Sequence, residues 1–506
     1  MSELEHDASW RRLDTRMLLV HPVTEVVRFL PVIIGVFILG SSGEDNGPWR
    51  YLGIAIPIVI GVVRFASTRF RITAAQIELR RGILGRSTLT APLDRVRTVE
   101  LTASPIHRVL GLEKVEIGTG SAGRNGDGQL VLDSLGGDEA RRLRRDLLHR
   151  TRAAGAPDEA EVGADPAYEG EVLVRLDPAW VRYAPLTTSG LVIALAALGA
   201  VSGPFFGNGL EVRLEESDFV DRLSGVALPL VLGAALIALL AASSVLAIGG
   251  YLLANWGFVL MRDDLRRTFH VRRGALTTRE TSIDVDRLRG LEIHEPLGLR
   301  LGGGSQLSAV ATGLNRRSAE STTLVPAAPR SVVIGVGEHV LDEQSPGEAG
   351  PLAVPLTLHG PAARRRRYLR ALIGTGLVPV ALTVLAVFEG WPAWLALLGL
   401  LAPIGGVLLA RDRYAGLGHA LSGRHLVVRS GSLRGRRDVL QRTGIIGWNI
   451  SQTWFQRRAG LVTLTATTAA GKQAYRAFDI PEPVAIALAD EAVPGLLSSF
   501  VVRSAS

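Results

Sequence analysis

Arginine side chains recur at matching positions in three stretches of the chain. Guanidinium groups are planar and permanently charged, and they bind phosphate and carboxylate oxygens in pairs. One interpretation is that they contact anionic lipid headgroups or a protein partner, at about 1 kcal/mol each near a membrane surface. The alternative is a solvated face that pairs with neighbouring acids, namely Asp94, Glu100, Asp286 and Glu292. The candidate contacts are Arg95, Arg97, Arg108, Arg287, Arg289 and Arg300.

Catalytic and metal-binding patterns are absent from the sequence. The ten histidines have no partners at metal-ligand spacing, and no H-E-x-x-H, G-x-S-x-G or Walker pattern occurs. The segment Gly118–Gly123 matches G-x-G-x-x-G, but a strand-like run follows it where a dinucleotide site needs a helix. The arginines are not interleaved with stacking aromatics, which argues against nucleic acid. We therefore expect a protein that is not an enzyme and has no metal or cofactor.

A glycine-punctuated pattern occurs three times and defines the elements that carry these arginines. Each copy has a frame glycine that opens a Gly-x-Leu tripeptide: Gly82, Gly274 and Gly431. A branched apolar residue follows 14 positions later: Val96, Leu288 and Ile445. A second glycine follows after 29 positions in the first and third copies and, in our assignment, after 28 in the second: Gly111, Gly460 and Gly302. Such a period indicates one structural module used three times.

Charge-free apolar runs precede each copy. The runs 184–210, 223–261, 371–388 and 390–410 are long enough to cross a bilayer, which takes roughly 20 residues. The first pair, 29–42 and 51–63, is shorter, and a re-entrant hairpin is the alternative there. We predict six transmembrane helices arranged as three hairpins.

Arginines are concentrated on one side of these runs, whereas the short loops within the hairpins carry mainly acids, against Arg213 and Arg222 in the second loop. By the positive-inside rule, both termini and all large soluble segments are predicted in the cytoplasm of a bacterium, below its inner membrane. An arginine beside an aromatic residue opens each hairpin. Such pairs are typical of membrane-interface anchors, and a headgroup site is the alternative. The pairs are Arg28 with Phe29, Arg182 with Tyr183, and Arg367 with Tyr368.

After each hairpin the sequence alternates polar and apolar residues, which predicts short strands, and each copy ends in a segment of helical period. Several short strands closed by one helix predict a small barrel or curled sheet. The fold class is therefore six membrane helices plus three small cytoplasmic barrels, each with a capping helix.

Four motifs of the first copy resemble the bacterial pleckstrin-homology-like (PH-like) domain of the YdbS/YdbT membrane protein family. They are Thr68-Arg69-Phe70-Arg71-Ile72-Thr73, Leu79-Arg80-Arg81-Gly82-Ile83-Leu84, Pro92-Leu93-Asp94-Arg95-Val96-Arg97 and Ser104-Pro105-Ile106-His107-Arg108-Val109-Leu110-Gly111. The second copy keeps Asp286-Arg287-Leu288-Arg289, and the third replaces it with Arg442-Thr443-Gly444-Ile445. The resemblance implies a PH-like barrel in a membrane protein and brings no catalytic motif.

The predicted organisation alternates hairpins with PH-like domains. It comprises an N-terminal segment (1–22), hairpin 1 (23–66), domain 1 (67–152), an acidic linker (153–177), hairpin 2 (178–257), domain 2 (258–341), a linker (342–366), hairpin 3 (367–410), domain 3 (411–496) and a tail (497–506). The predicted function is a non-enzymatic scaffold that binds membrane lipids, a protein partner or further copies of itself, in maintenance of the envelope. The alternative is a lipid or small-molecule transporter with regulatory PH-like domains.

Overall fold

The computed structural model of the protein describes residues 10–17, 67–73, 76–81, 87–92, 98–118, 129–144, 170–190, 192, 227–263, 267–312, 322–342, 350–390 and 392–496. The predicted hairpin 1 lies outside the described residues, as do Arg28, Phe29, Arg95 and Arg97.

The described strands run through all three copies. The first copy contains β1 (Arg11–Arg12), β2 (Arg69–Ile72), β3 (Gln76–Arg81), β4 (Ser87–Pro92), β5 (Thr98–Ala103), β6 (Leu112–Gly118) and β7 (Gln129–Gly136). The second contains β8 (Glu171–Arg175), β9 (Val259–Asp263), β10 (Thr268–Arg273), β11 (Thr278–Asp284), β12 (Leu288–Pro296), β13 (Gly304–Ala311) and β14 (Thr323–Pro329). The third contains β15 (Gly418–Ser422), β16 (His425–Ser430), β17 (Arg434–Gln441), β18 (Ile445–Ser451), β19 (Leu461–Thr468) and β20 (Ala474–Pro481).

The helices either belong to the copies or are long and apolar. They are α1 (Pro105–Leu110), α2 (137–144), α3 (Ala227–Asn255), α4 (Leu297–Leu301), α5 (Arg330–Asp342), α6 (Gly360–Phe388), α7 (Ala393–Gly399), α8 (Leu401–Ala415), α9 (Trp454–Arg458) and α10 (Glu482–Ala492). Short 3₁₀ helices span Pro178–Tyr183, Val285–Arg287 and Arg442–Gly444. Each copy thus repeats one plan: three strands, a fourth strand, a short helix, two strands and a closing helix.

The second glycine of each copy ends the short helix in a left-handed backbone conformation. Gly111, Gly303 and Gly460 have φ angles of +67°, +73° and +64°, which glycine adopts without strain. Gly302, with φ of −80°, does not. The assignment of Gly302 is therefore wrong, because the equivalent residue is Gly303, which also lies 29 positions after Gly274. The second copy is not shortened.

The strands form open sheets that extend from one copy into the next. The orders are β1-β2-β3-β4, β7-β6-β5-β11-β10-β9-β8, β14-β13-β12-β17-β16-β15 and β18-β19-β20. The pairing of β5 with β11 is here called the first joint and that of β12 with β17 the second joint. Among the described strands no sheet closes into a barrel, because the two halves of a copy extend the sheets of its neighbours. The sheets remain consistent with PH-like domains.

The chain divides into two compact units. One comprises Met1–Arg175, Trp256–Arg287 and Thr312–Ser321, and the other comprises Leu176–Asn255, Leu288–Ala311 and Thr322–Ser506. The first joint lies in the first unit and the second joint in the second. The core of the first copy packs side chains of β2 and β3 against those of β5 and β6, and the core of the third copy packs β16 and β17 against β19, β20 and α10.

Three described helices are long and apolar enough to cross a membrane: Leu236–Asn255, Gly360–Phe388 and Ala393–Ala415. They include both members of predicted hairpin 3 and the second member of hairpin 2. The charge-free run 223–261 is longer than the membrane helix that it contains, because α3 ends at Asn255 and β9 begins at Val259. The run 184–210 is described only as far as residue 192.

A segment before each apolar stretch pairs with the first strand after it. Arg12 in β1 lies opposite Arg69 in β2, and Val172 in β8 lies opposite Met261 in β9. In the third copy, Thr357 forms an antiparallel bridge with His419. The predicted linker 153–177 thus includes a strand. The described segments that flank each apolar stretch therefore pair with each other.

Candidate functional site

Two of the predicted arginines contact the Gly-x-Leu turn of the following copy, or the helix beside it. Arg108 Nη1 donates a hydrogen bond to the carbonyl oxygen of Ala275 at 2.5 Å. Arg300 Nη2 lies 2.6 Å from Asp412 Oδ1, and Ser432 Oγ donates to the other oxygen of that carboxylate at 2.6 Å. Both arginines stand three residues before the second glycine of their copies. The two arginines are therefore equivalent in position, and each contacts the copy that follows its own.

Of the other predicted arginines, the structure describes Arg287 and Arg289, and these two have different partners. Arg287 Nε lies 3.8 Å from Asp284 Oδ2, and Arg289 Nη1 donates to Gln441 Oε1 at 3.4 Å.

The arginine–aromatic pairs differ in their surroundings. Arg182 Nη2 donates to the Tyr183 hydroxyl at 2.9 Å, and Tyr183 is only 2% exposed. A Cβ added at Gly304 would lie 2.6 Å from the Tyr183 ring, so that ring packs on β13. The third pair is divided: Tyr368 lies 5.8 Å from the Arg364 guanidinium, whereas Arg367 joins an ion-pair cluster.

That cluster lines a cleft of about 600 Å³ at the foot of α6, here called the basic cleft. Its walls come from α6, α8, the Gly431 turn, α9, β19 and β20. They contain five arginines and one acid. The lining residues are Arg366, Arg367, Arg370, Arg413, Leu417, Gly431, Ser432, Leu433, Arg434, Thr453, Gln456, Thr463, Phe478 and Asp479.

Asp479 organises one wall of the basic cleft. Its buried carboxylate pairs with Arg366 Nη1 through one oxygen, and Arg367 Nη2 lies 2.6 Å from the other. Gln456 Nε2 donates to the first oxygen at 2.9 Å. Gln456 is positioned by a capping box with Thr453, which begins α9. One carboxylate therefore fixes two guanidinium groups and neutralises one of their two charges.

The remaining arginines give the basic cleft its excess of positive charge. Arg370 and Arg434 are exposed and Arg413 is half-buried. Within the described part of the chain, none of the three has a carboxylate partner. Five arginines against one aspartate leave a formal charge of +4 on the lining. Guanidinium groups of this density bind phosphate oxygens through charge-assisted hydrogen bonds.

Exposed aromatic rings stand beside the basic cleft on α9. Trp454 is 57% exposed and Phe455 is 69% exposed, and their rings meet edge to face with centroids 5.0 Å apart. The Arg458 guanidinium lies 4.3 Å from the Trp454 ring centroid. Thr453 and Gln456 of this same helical turn line the cleft. Aromatic rings beside cations are typical of the membrane–water interface.

The sequence predicted Arg367 as a membrane-interface anchor beside Tyr368 and missed the contact of Arg366 and Arg367 with Asp479. That acid lies more than 100 residues further along the chain, so no local spacing indicates the contact. The usable signal was Thr453-x-x-Gln456, a capping-box pattern. No group of three or more metal-ligating side chains occurs among the described residues.

Comparison with known proteins confirms the resemblance read from the motifs. Residues 25–151 and 376–492 match the model of the bacterial PH domain. The chain is 20% identical over 327 residues to the transmembrane protein YdbT of Bacillus subtilis (strain 168), covering 60% of this chain and 64% of that protein. The chain thus spans under two thirds of the relative's length. No solved structure matches the chain.

Proposed function

We propose that this membrane protein with bacterial PH domains is a non-enzymatic scaffold whose basic cleft binds the anionic headgroup of a phospholipid. The observation that carries the proposal is the +4 lining at the foot of α6, directly before the charge-free part of that helix, residues 371–388. A headgroup phosphate is the anion that is present at that depth in every bilayer. The exposed rings of α9 would lie in the same interfacial layer.

The paired segments around each hairpin support the predicted topology. A stretch that leaves and returns at one sheet edge crosses the membrane an even number of times. Two crossings for each of three stretches would account for the six proposed spans, and the arginine flanks favour a cytoplasmic location for every sheet and both termini. A reporter that works only in the cytoplasm should be active when it is fused after residue 150, and a reporter that works only outside the membrane should be inactive there. The opposite result would contradict this topology.

Lipid binding is tested with the full chain in nanodiscs of phosphatidylcholine with or without phosphatidylglycerol. The variant Arg370→Gln, Arg413→Gln, Arg434→Gln removes the three arginines that lack a carboxylate partner in the described chain and leaves the Asp479 cluster intact. At about 1 kcal/mol for each arginine, the affinity for phosphatidylglycerol should fall roughly 100-fold. Native mass spectrometry of retained lipid measures this loss.

Arg411→Gln is the matched control, because Arg411 is exposed on the same helix as Arg413 but does not line the cleft. It should retain lipid as the unmodified protein does. Equal retention by the triple variant and the unmodified protein would overturn the proposal. Equal loss in the triple variant and in Arg411→Gln would show only a general surface attraction and would overturn it as well.

A further inference from the structure

The two joints between copies have one register when residues are counted from the frame glycines. In the first joint, Leu101 is residue 19 after its frame glycine and lies opposite Glu280, which is residue 6 after the next. In the second joint, Ile293 and Arg437 occupy the same two positions. The fourth strand of one copy therefore always pairs antiparallel with the third strand of the next, at the same offset.

A contact between the short helix and the next turn accompanies each joint. Arg108 reaches the carbonyl of Ala275, as described above. In the second joint, the backbone N–H of Leu297 donates to the carbonyl oxygen of Leu433 at 2.9 Å. Each joint thus combines strand pairing with a contact between a short helix and the next turn, and these two contacts together define a specific interface.

The third copy contains the strand that corresponds to the donor half of a joint, namely β18. β18 is the outer strand of its sheet, with no partner on its free edge among the described strands. It contains no charged residue, and Ile446 and Ile450 are 62% and 40% exposed. Natural edge strands are usually protected by charges, prolines or a covering element, and an unprotected apolar edge pairs with another chain.

The first copy carries the complementary half. β4 is the outer strand of its sheet and occupies the place that β11 and β17 hold in the joints. It too lacks charged residues, and Thr88 and Thr90 are exposed. Two uncharged edges can pair without burying an uncompensated charge. A charged partner strand would bring charges that neither edge can neutralise.

We propose that β18 of one molecule pairs with β4 of a second copy of this chain, in the register of the two internal joints. Ile450 then lies opposite Thr88, and Asn449 lies opposite Leu89. The contact joins different surfaces of two identical chains, so it is head to tail and propagates into rings or filaments. It rests on the strand edges alone and is independent of lipid binding in the basic cleft.

Disulfide trapping tests the pairing, because the chain has no cysteine. Thr88→Cys and Ile450→Cys are made in separate chains with different tags, mixed in liposomes and oxidised. Opposite residues in a sheet have Cβ atoms about 5 Å apart, which is within reach of a disulfide after small adjustment. The mixed pair should cross-link. Thr88→Cys with Ile446→Cys should not, because four residues along a strand add about 13 Å.

A second measurement guards against misfolding and against other occupants. Ile446→Lys with Ile450→Lys puts charges on the free edge and should convert oligomers into monomers in sedimentation, whereas Val484→Lys, on an exposed residue of α10, should not. The unmodified protein sedimenting as a monomer would overturn the proposal. So would equal cross-linking at both registers, or cross-linking that occurs only after removal of residues 497–506, since those residues would then cover the edge.

Discussion

The two joints share a backbone register but hold their buried charges differently. In the first joint, Glu100 lies opposite Thr281, and burial raises the pKa of this carboxyl to about 7, with Glu116 adding repulsion. Arg279 and Arg273 only partly offset these effects. The first joint therefore contains a carboxyl group whose charged form is destabilised by burial.

The second joint places two acids face to face and surrounds them with cations. Glu292 lies opposite Asp438, 3.3 Å from Arg436 Nε and paired with Lys472. Burial, and then repulsion from Glu292, raise the pKa of Asp438 to about 7. Arg436 Nε also donates to Asp438 Oδ2 at 3.1 Å.

The comparison indicates that backbone pairing, and not the charged side chains, determines the register of each joint. The register is the same in both joints, although Glu lies opposite Thr in the first and opposite Asp in the second. The inner faces of the strands carry the pattern, because Leu101 and Ile293 at the same position are both buried. A one-residue slip would turn those side chains to the other face. The buried charges can therefore differ between the joints, and different neighbouring cations compensate them in each.

The largest change in the free energy of unfolding should come from substitution of Arg144, which lies in α2 and whose positive charge compensates Glu280 of the first joint. Its guanidinium donates to Glu280 Oε2 at 2.9 Å and to Ser282 Oγ at 2.8 Å while itself almost fully buried. Arg144→Met leaves a partly buried carboxylate with less compensation and should cost about 3 kcal/mol. Thermal unfolding in detergent measures it. Arg141→Met on the same helix removes an exposed pair with Asp138 and a longer contact of 3.8 Å with Glu113, both from a side chain that is 59% exposed, and should cost less than about 1 kcal/mol. Equal losses would refute a special role for Arg144.

The next effect is the pH dependence of the first joint. The folded-state pKa of Glu100, about 7, exceeds the ordinary value of 4.5. The folded state therefore binds more protons at this site, so the contribution of Glu100 to stability is highest below pH 4.5 and falls as the pH rises to 7. Glu100→Gln should stabilise the protein by about 2 kcal/mol at pH 8 and by nothing at pH 4. An unfolding series across this window decides it; a gain that is constant with pH would show that the charge is not the cause.

Asp438→Asn should give a smaller gain than Glu100→Gln, although both carboxyl groups have a raised pKa. The substitution relieves repulsion with Glu292 but loses the charge-assisted hydrogen bond from Arg436, which is worth about 2 kcal/mol. The expected net gain at pH 8 is below about 1 kcal/mol. The same unfolding series measures both variants, and a larger gain for Asp438→Asn would mean that Arg436 does not compensate the second joint.

The sequence predicted the repeated module well, because glycines at turns and alternating strands are local signals. The strand-like runs, the closing helices and the spacing from Gly82 to Gly111 depend on neighbours in the chain. The ambiguity between Gly302 and Gly303 shows the limit of such signals. Both are glycines within one turn, and only the backbone angle of the second identifies it.

The joints and the basic cleft could not be predicted in the same way. An alternating strand has two edges, and its pattern does not tell whether the partner belongs to its own copy or to the next. Arg108 and Arg300 were recognised as recurrent, but their recurrence also fits the contacts that they make with the next copy. Asp479 is one aspartate in a strand, and only the folded chain brings it to Arg366 and Arg367.

The smallest effect should come from Lys472 at the second joint. Its side chain is 48% exposed, and solvent screens its pair with Glu292. Lys472→Gln should therefore cost about 0.5 kcal/mol at low salt. In 1 M salt the Debye length is about 3 Å, so the cost should vanish there, whereas the effect of Glu100→Gln should persist because its carboxyl is buried. Unfolding of both variants at two salt concentrations separates the screened cation of the second joint from the unscreened acid of the first. A salt-independent cost for Lys472→Gln would mean that Lys472 acts through packing and not through charge.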